Sequence, residues 1–353
     1  MTWQPKYRIS NKLLSTIREI GEAMGEIKSY ALTSKTLAKL ELEARELSAF
    51  ASTSIEGNPL ALTDVKRLLK NKKEHIRDTE QEVLNYNKAL QNLYISVETS
   101  KFKANITTLE KIQKQVVKGL MDNPADVGKL RQAPVVIRDP RKPDSVVFLP
   151  PDAKDVKVLS KELLDFVSAN RGKIDPIILA GLFHRQCVII HPFMDGNGRT
   201  TRLMTTAILG ANGLDLFKIF SFENYYNQNI TRYFKAVGLQ GDYYDLKDDA
   251  DHTGWLEYFT EGILDELARL RKTVPQKLEP KPRLEAHHKQ ILDFIAEHGS
   301  ITQREYGEIS QRSLATRKLD FEKLLSLDLI ERKGTGRGTY YVHKGGLSTI
   351  SLT

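Results

Sequence analysis

The sequence predicts a mainly α-helical protein carrying one β-hairpin, followed by a small α+β module. Three observations carry that expectation. Apolar residues recur at helical spacing through most of the chain from about residue 12 to 272. Two β-prone runs flank a Pro- and Asp-rich turn near residues 139 to 144. A stretch from Thr273 to Arg283, with prolines at Pro275, Pro280 and Pro282, precedes a last segment that mixes helical patterns with a glycine-rich, basic strand pair.

Composition sets the outer limits. The chain has 353 residues, 40% apolar and 28% charged, which is ordinary globular composition with room for two or three domains. No run approaches the ~18 apolar residues of a membrane span, and Met1-Thr2-Trp3-Gln4-Pro5 lacks the apolar core of a signal peptide, so a cytoplasmic protein with no membrane association is expected. The single Cys187 excludes an internal disulfide, and its setting between Phe183 and Ile190 reads as core rather than as a nucleophile. The formal charge of +8 suits a partner with phosphates without separating ATP from DNA.

The N-terminal third reads as all helix. Leu and Ile at helical spacing predict a helix over about 12 to 30, and a second follows from Thr33 to Ser54. That second helix ends unusually. Gly57 suits the position after a helix end and Pro59 prevents continuation, so Glu56 falls in the last turn, where a carboxylate opposes the helix dipole at about 0.3–1 kcal/mol. A surface residue can tolerate that cost; a cationic partner elsewhere would remove it, and Ser52 lies one turn earlier on the same face. Thr63 is expected to cap the next helix, Glu82 to Leu90 begins another, and Ile106 opens one that runs to about Met121.

Pro134 to Arg138 and Ser145 to Leu149 then read as the two strands of a hairpin. Such a pair is marginal unless it packs on something, and its edge can hold an incoming peptide. Asp155 to Ala169 is helical, and Asp175-Pro176 starts an apolar helix that must stop before His191, because Pro192 pushes His191 out of the α region and leaves its ring free to point outward.

The chain is organised around His191-Pro192-Phe193-Met194-Asp195-Gly196-Asn197-Gly198-Arg199-Thr200-Thr201-Arg202. The Gly196-Asn197-Gly198 turn feeds a helix running to about Gly210, with Asn197 near its N-cap, and offers backbone N–H groups and a positive dipole end to an anion. Arg199 and Arg202 can grip phosphate oxygens. Asp195 supplies a hard oxygen suited to Mg2+ held chiefly by phosphates and water. His191 is placed to take a proton from an attacking hydroxyl. The spacing of His191 and Asp195 also resembles a helical zinc pair, but Pro192 breaks the helix that reading needs and no third ligand is evident.

This stretch resembles the signature of the Fic family, matched at every fixed position from His191 to Arg202. The resemblance covers roughly residues 35 to 270 and implies a Fic-type helical fold with the hairpin as a flap that aligns a target backbone. It implies transfer of AMP from ATP to a Ser, Thr or Tyr hydroxyl of a target protein, with His191 as general base and Asp195 holding Mg2+. Gly196, Asn197 and Gly198 would cradle the α/β phosphates, Arg199 would contact the β-phosphate side and Arg202 the γ-phosphate. Phe193 would anchor the loop, and the adenine pocket would lie near Tyr233 and Gln240. Leu130 stands where an aromatic is common before Arg131. Ser52, Glu56 and Gly57 resemble the family's inhibitory motif, in the class whose inhibitory helix is N-terminal, with Glu56 pairing with Arg202; in some relatives the same glutamate supports AMP removal.

The expected division is thus a helical region over 1–100 with the inhibitory helix at about 33–57, a catalytic core over 101–272, a linker over 273–283, a winged-helix-like domain over 284–345 and a tail over 346–353. In the winged-helix-like part, three helices (Leu284 to Glu297, Thr302 to Ile309, Ser313 to Leu327) precede two strands about a glycine-rich tip. Arg312, Arg317, Lys318, Lys333 and Arg337 are candidate phosphate contacts to DNA, diluted by Asp320, Glu322, Asp328 and Glu331. A nucleotide-sensing transcription regulator is therefore the alternative to the transferase, and transfer of another nucleotide-derived group a third reading. A homo-oligomer, taken as a dimer, is expected.

Overall fold

The computed structural model describes residues 3–30, 32–71, 74–139, 142–214, 216–277 and 284–344. Two compact units divide the chain, one within residues 1–277 and one within 278–353.

The first unit begins with α1 (Asn11–Ser29), α2 (Ser34–Ile55), α3 (Leu62–Lys70), α4 (Asp78–Glu98) and α5 (Ile106–Val116). Side chains start most of these helices where their sequences offer them. The Ser10, Thr33 and Asn105 oxygens each accept the N–H three residues on, at 2.9 to 3.2 Å. Thr63 does not cap α3; it lies inside the helix, whose N-cap is Ala61 with no side-chain bond. α5 stops at Val116, short of the expected Met121, and turns follow.

The hairpin comes next, as β1 (Ile137–Asp139) and β2 (Lys142–Leu149), then α6 (Ala153–Ala169), α7 (Pro176–Ile190), α8 (Asn197–Ala211), α9 (Phe222–Gln228) and α10 (Ile230–Val237). β3 (Gly241–Asp242), α11 (Tyr243–Leu246) and α12 (Thr253–Lys277) complete the unit. β1 and β2 are antiparallel, pairing Ile137 with Phe148 and Arg138 with Val146 through an irregular register. Pro134 to Val136 precede the strand instead of forming its start, and β2 begins at Lys142, inside the expected turn. A third strand was not foreseen: β3 joins β2 in parallel, Gly241 beside Phe148. It gives the hairpin the support an isolated pair lacks.

α7 and α8 form the heart of the unit. Every residue of α7 from Ile177 to Ile190 is buried except Val188, and α8 is buried from Arg199 to Leu209. A helix buried all round shows no amphipathic stripe and must be enclosed by neighbours; here α6 and α12 pack on α7, and α2, α4 and α5 on α8. α12 approaches closely because Gly181 has no side chain: a Cβ there would lie 2.8 Å from Leu256 Cδ2. The Trp255 indole N–H donates to the Gly181 carbonyl at 2.7 Å. α12 continues through Pro275 to Lys277, so Thr273 to Lys277 are helix where a linker was expected; residues 278–283 lie outside the described set.

The second unit contains α13 (Ala286–His298), β4 (Ile301–Thr302), α14 (Gln303–Ile309), α15 (Leu314–Ser326), β5 (Ile330–Lys333) and β6 (Tyr340–His343), the strands in antiparallel order β4-β6-β5. Ile291, Ile295, Ile301, Tyr306, Phe321, Leu324 and Ile330 make its own core. β4 was not anticipated; at two residues it is too short to leave a periodic signal.

Candidate active site

His191 ends α7 in the left-handed region, φ 51° and ψ 65°, a conformation rare for a residue with a side chain. Pro192 excludes the right-handed continuation, and the structure then holds the bend from behind with Arg131. This guanidinium, 1% exposed, donates from Nε to the His191 carbonyl at 2.8 Å and to the carbonyls of Ala133, Ile190 and Pro151. The Arg131 backbone N–H adds a bond to the Pro192 carbonyl at 2.9 Å. A planar cation thereby serves the orphan carbonyls at the end of α7.

The His191 ring is partly accessible rather than free to point outward, and its Nδ1 lies 3.4 Å from the Val188 carbonyl. Donation there leaves Nε2 as the unprotonated nitrogen, the tautomer a general base requires. Burial pushes its pKa down to about 4, against smaller opposing effects of Val188 and Glu56.

The loop after His191 is braced from within. Phe193 is fully buried. The Asn197 amide clamps it, its Oδ1 accepting from the Phe193 N–H and its Nδ2 donating to the Phe193 carbonyl, both at 2.8 Å. Asn197 lies next to the helix N-cap, as expected: Gly196 is the N-cap, Asn197 is the first residue of α8, and its side chain shapes the turn. Gly196 needs its positive φ of 78°, and a Cβ there would meet Val117 Cγ1 at 2.7 Å. Gln113 on α5 donates to the Asp195 carbonyl at 3.1 Å and accepts the Gly128 N–H at 2.6 Å. The backbone bonding of α8 begins with Thr200 N–H to the Gly196 carbonyl, so the preceding N–H groups have no acceptor within the helix.

A carboxylate stands at that helix end. A Cβ on residue 198 would fall 2.2 Å from Glu56 Oε1, so Gly198 leaves the space in which Glu56 sits. Glu56 is the C-cap of α2, with Gly57 at φ 96° closing the turn. Its Oε1 accepts from Arg202 Nη2 at 2.6 Å. Ser52 completes the grip: its hydroxyl accepts from Arg202 Nε at 2.7 Å and its carbonyl from Nη2 at 2.9 Å. Burial weakens the charged form of Arg202, but the Glu56 carboxylate, with Tyr233 and Tyr86, outweighs it, and its pKa stands above the ordinary value. Arg202 Nη1 is buried with no partner among the described residues.

Arg199 is engaged as well. Its Nη2 lies 3.1 Å from both Asp195 oxygens and its Nη1 2.7 Å from Glu82 Oε1. The sequence reading brought forward Arg199, Asp195, Ser52, Glu56, Gly57 and Arg202, and the fold gathers all six. It missed Glu82, Arg131 and Gln113, whose roles depend on partners in distant segments.

Tyr233 and Gln240, expected near an adenine pocket, lie in different surroundings, Tyr233 beside Arg202 in the core and Gln240 at the surface. Tyr233 is 1% exposed; its hydroxyl lies 3.1 Å from His184 Nε2 and its ring stacks on Tyr226 at 4.7 Å. The Thr205 hydroxyl donates to the Thr201 carbonyl and accepts from His184 Nδ1, which fixes His184 as an acceptor for Tyr233. Tyr233 is thus packed in the core, with Trp255 and Phe234 also against it. Gln240 is exposed, one residue before β3. In the second unit, Arg312 pairs with Asp320 at 2.7 Å, Arg317 donates to the Gln303 carbonyl, Lys318 pairs with Glu322 and Lys333 with Glu331. The Arg337 side chain lies outside the described residues.

A strained histidine beside a glycine-bounded helix N-terminus, with two arginines on its first turns, defines an anion-handling site equipped with a base. The comparisons agree with that class. Residues 103–209 match the Fic/DOC family model. It is 26% identical over 215 residues to protein adenylyltransferase fic-1 of Caenorhabditis elegans, covering 58% of this chain and 39% of that protein. It is 27% identical over 215 residues to protein adenylyltransferase Fic of Nematostella vectensis, covering 58% and 46%. The chain thus spans less than half the length of these curated relatives. Its fold is similar to a Fic family protein from Desulfovibrio desulfuricans, with TM-score 0.64 and 23% identity over 98% of this chain and all of that one. It is also similar to C. elegans Fic-1, with TM-score 0.58 and 19% identity over 75% and 74% of the two chains.

Proposed function

We propose that this chain is a protein adenylyltransferase that transfers AMP from ATP to a hydroxyl side chain of a target protein and is held in check by Glu56. The observation that carries the reading is the Glu56 carboxylate set on Arg202 and on the Gly198 end of α8, where a nucleotide phosphate would otherwise go. The names of the curated relatives support the reaction.

In this reading His191 Nε2 takes the proton of the attacking hydroxyl, whose oxygen bonds the α-phosphorus as pyrophosphate leaves. The N–H groups at the start of α8 and the two arginines stabilise the negative charge of the phosphates. Asp195 fits a Mg2+ site of the kind filled mainly by phosphates and water, since its side chain is 53% exposed and tied only to Arg199 among the described residues. When bound, Mg2+ would supply charge neutralisation between the phosphates. Asp195 has then to leave Arg199, which frees that guanidinium for a phosphate oxygen.

A hydrogen bond to a charged group contributes about 1.5–3 kcal/mol, and each 1.4 kcal/mol is about tenfold. Glu56→Gly is therefore expected to raise AMP transfer from labelled ATP with Mg2+ by about one to two orders of magnitude. His191→Ala in the same background should lower it by about 10²–10⁴-fold. Equal labelling by wild type and both variants would sink the proposal. Cell lysate serves as the source of targets, and mass spectrometry of the modified peptides identifies them.

A further inference from the structure

Glu82 and Asn58 lie outside the loop, yet they form a chain of contacts that ends on one of its two arginines. Arg199 is 6% exposed and meets two carboxylates of different character. The Asp195 side chain is 53% exposed, whereas that of Glu82 is 15% exposed and fixed on α4. Glu82 uses both oxygens. Oε1 takes Arg199 Nη1 at 2.7 Å, and Oε2 accepts from Asn58 Nδ2 at 2.7 Å.

Asn58 is itself held at its side-chain amide and its backbone N–H. Its Nδ2 also donates to the Thr79 carbonyl at 2.8 Å, its Oδ1 accepts the Leu60 N–H at 3.1 Å, and its own N–H donates to the Thr53 carbonyl at 3.1 Å. A third observation concerns the guanidinium. Nη2 shares an edge with Nε, and Arg199 Nε is buried with no partner among the described residues. When Asp195 swings away, the Nε and Nη2 edge is a free two-pronged donor of the shape that suits a phosphate. Nη1 stays anchored on Glu82.

We propose that Glu82, fixed by Asn58, is the positioning residue that aims the Nε and Nη2 edge of Arg199 at a nucleotide phosphate, so that the three residues from Glu56 to Asn58 set both loop arginines. Glu56 acts directly on Arg202 and Asn58 acts through Glu82 on Arg199. The inference rests on the nucleotide reading of the loop, not on the identity of the group transferred.

The test is calorimetric binding of ADP and ATP to Glu56→Gly protein, with and without a second substitution. Glu82→Gln and Asn58→Ala are each expected to weaken both nucleotides about tenfold, the scale of one charge-assisted hydrogen bond. Glu82→Asp should restore part of the loss. Thermal unfolding of each variant accompanies the titrations. A lowered unfolding temperature with unchanged ADP affinity would reduce Glu82 to a structural role and overturn the proposal. Tighter ADP binding to the Glu82→Gln variant would overturn it too, by making Glu82 a competitor of the phosphate, as would absence of nucleotide binding throughout. Binding that responds to Glu82 without AMP transfer would remove the transferase reading and leave this one standing; transfer with ADP affinity indifferent to Glu82 would do the reverse.

Discussion

A base must be neutral before it can act, and burial favours the neutral ring of His191, the base of the proposed reaction. With its pKa at about 4, the ring is unprotonated throughout the physiological range. The acid limb of kcat/KM for Glu56→Gly protein should accordingly fall well below pH 6, nearer 4 than the 6.5 of a free imidazole, and the rate should be flat through neutrality. A limb centred near 6.5 would mean that the ring titrates as if solvated. The position of Nε2 matters as much as its charge, and it follows from the left-handed His191 backbone, which Pro192 and Arg131 impose together.

Elements explain what the sequence disclosed and what it hid. α1 and α2 announce themselves by apolar spacing and by Ser10 and Thr33 at their starts. α7 and α8 have no such stripe, being enclosed on all sides, and were found from Asp175-Pro176 and the glycine turn instead. The cluster from His191 to Arg202 is local and was legible, as was the match of Ser52 and Glu56 to one face of α2. Arg131 was not, because its acceptors are backbone carbonyls up to 60 positions away and any residue type supplies a carbonyl. The surroundings of Tyr233 were hidden for a related reason: aromatic residues at helical spacing look alike whether they stack on a ligand or, as Tyr233 does, on Tyr226. Arg131→Ala would leave several buried carbonyls without a donor, at about 1–3 kcal/mol for a buried group so exposed. A loss of about 3 kcal/mol or more is expected in denaturant unfolding, with Arg131→Lys recovering little because an ammonium cannot span the same acceptors. A loss below about 1 kcal/mol would show that the loop is held by other contacts.

At the scale of the molecule, the first unit buries imidazoles that it cannot charge. His184 is fully buried, and burial, reinforced by Arg202, holds its pKa well below the ordinary value. Burial lowers His252 to about 3, with Arg185 adding to the effect. As pH falls below about 6.5, the unfolded chain takes up protons that the folded one refuses. The stability these neutral rings contribute is thus complete above that pH and is lost progressively as pH drops towards the folded values. The unfolding temperature should fall between pH 6.5 and 4, and His252→Asn should flatten the slope; an unchanged slope in that variant would assign the acid sensitivity to other groups.

Glu56 has a further consequence, one of tempo. Its backbone is fastened by the closing turn of α2, with Glu56 and Asn58 N–H both on the Thr53 carbonyl, while its carboxylate has Arg202 as its one hydrogen-bonding residue among those described. Letting go of Arg202 therefore takes a rotation of one side chain, not the displacement of a helix. Rotamer changes of partly exposed side chains occur in picoseconds to nanoseconds, far faster than a transferase turns over. Under the proposed function, an arriving nucleotide would meet a rapidly averaged obstacle: Glu56 would lower the fraction of time the site is open, and it would impose no waiting period before the first turnover.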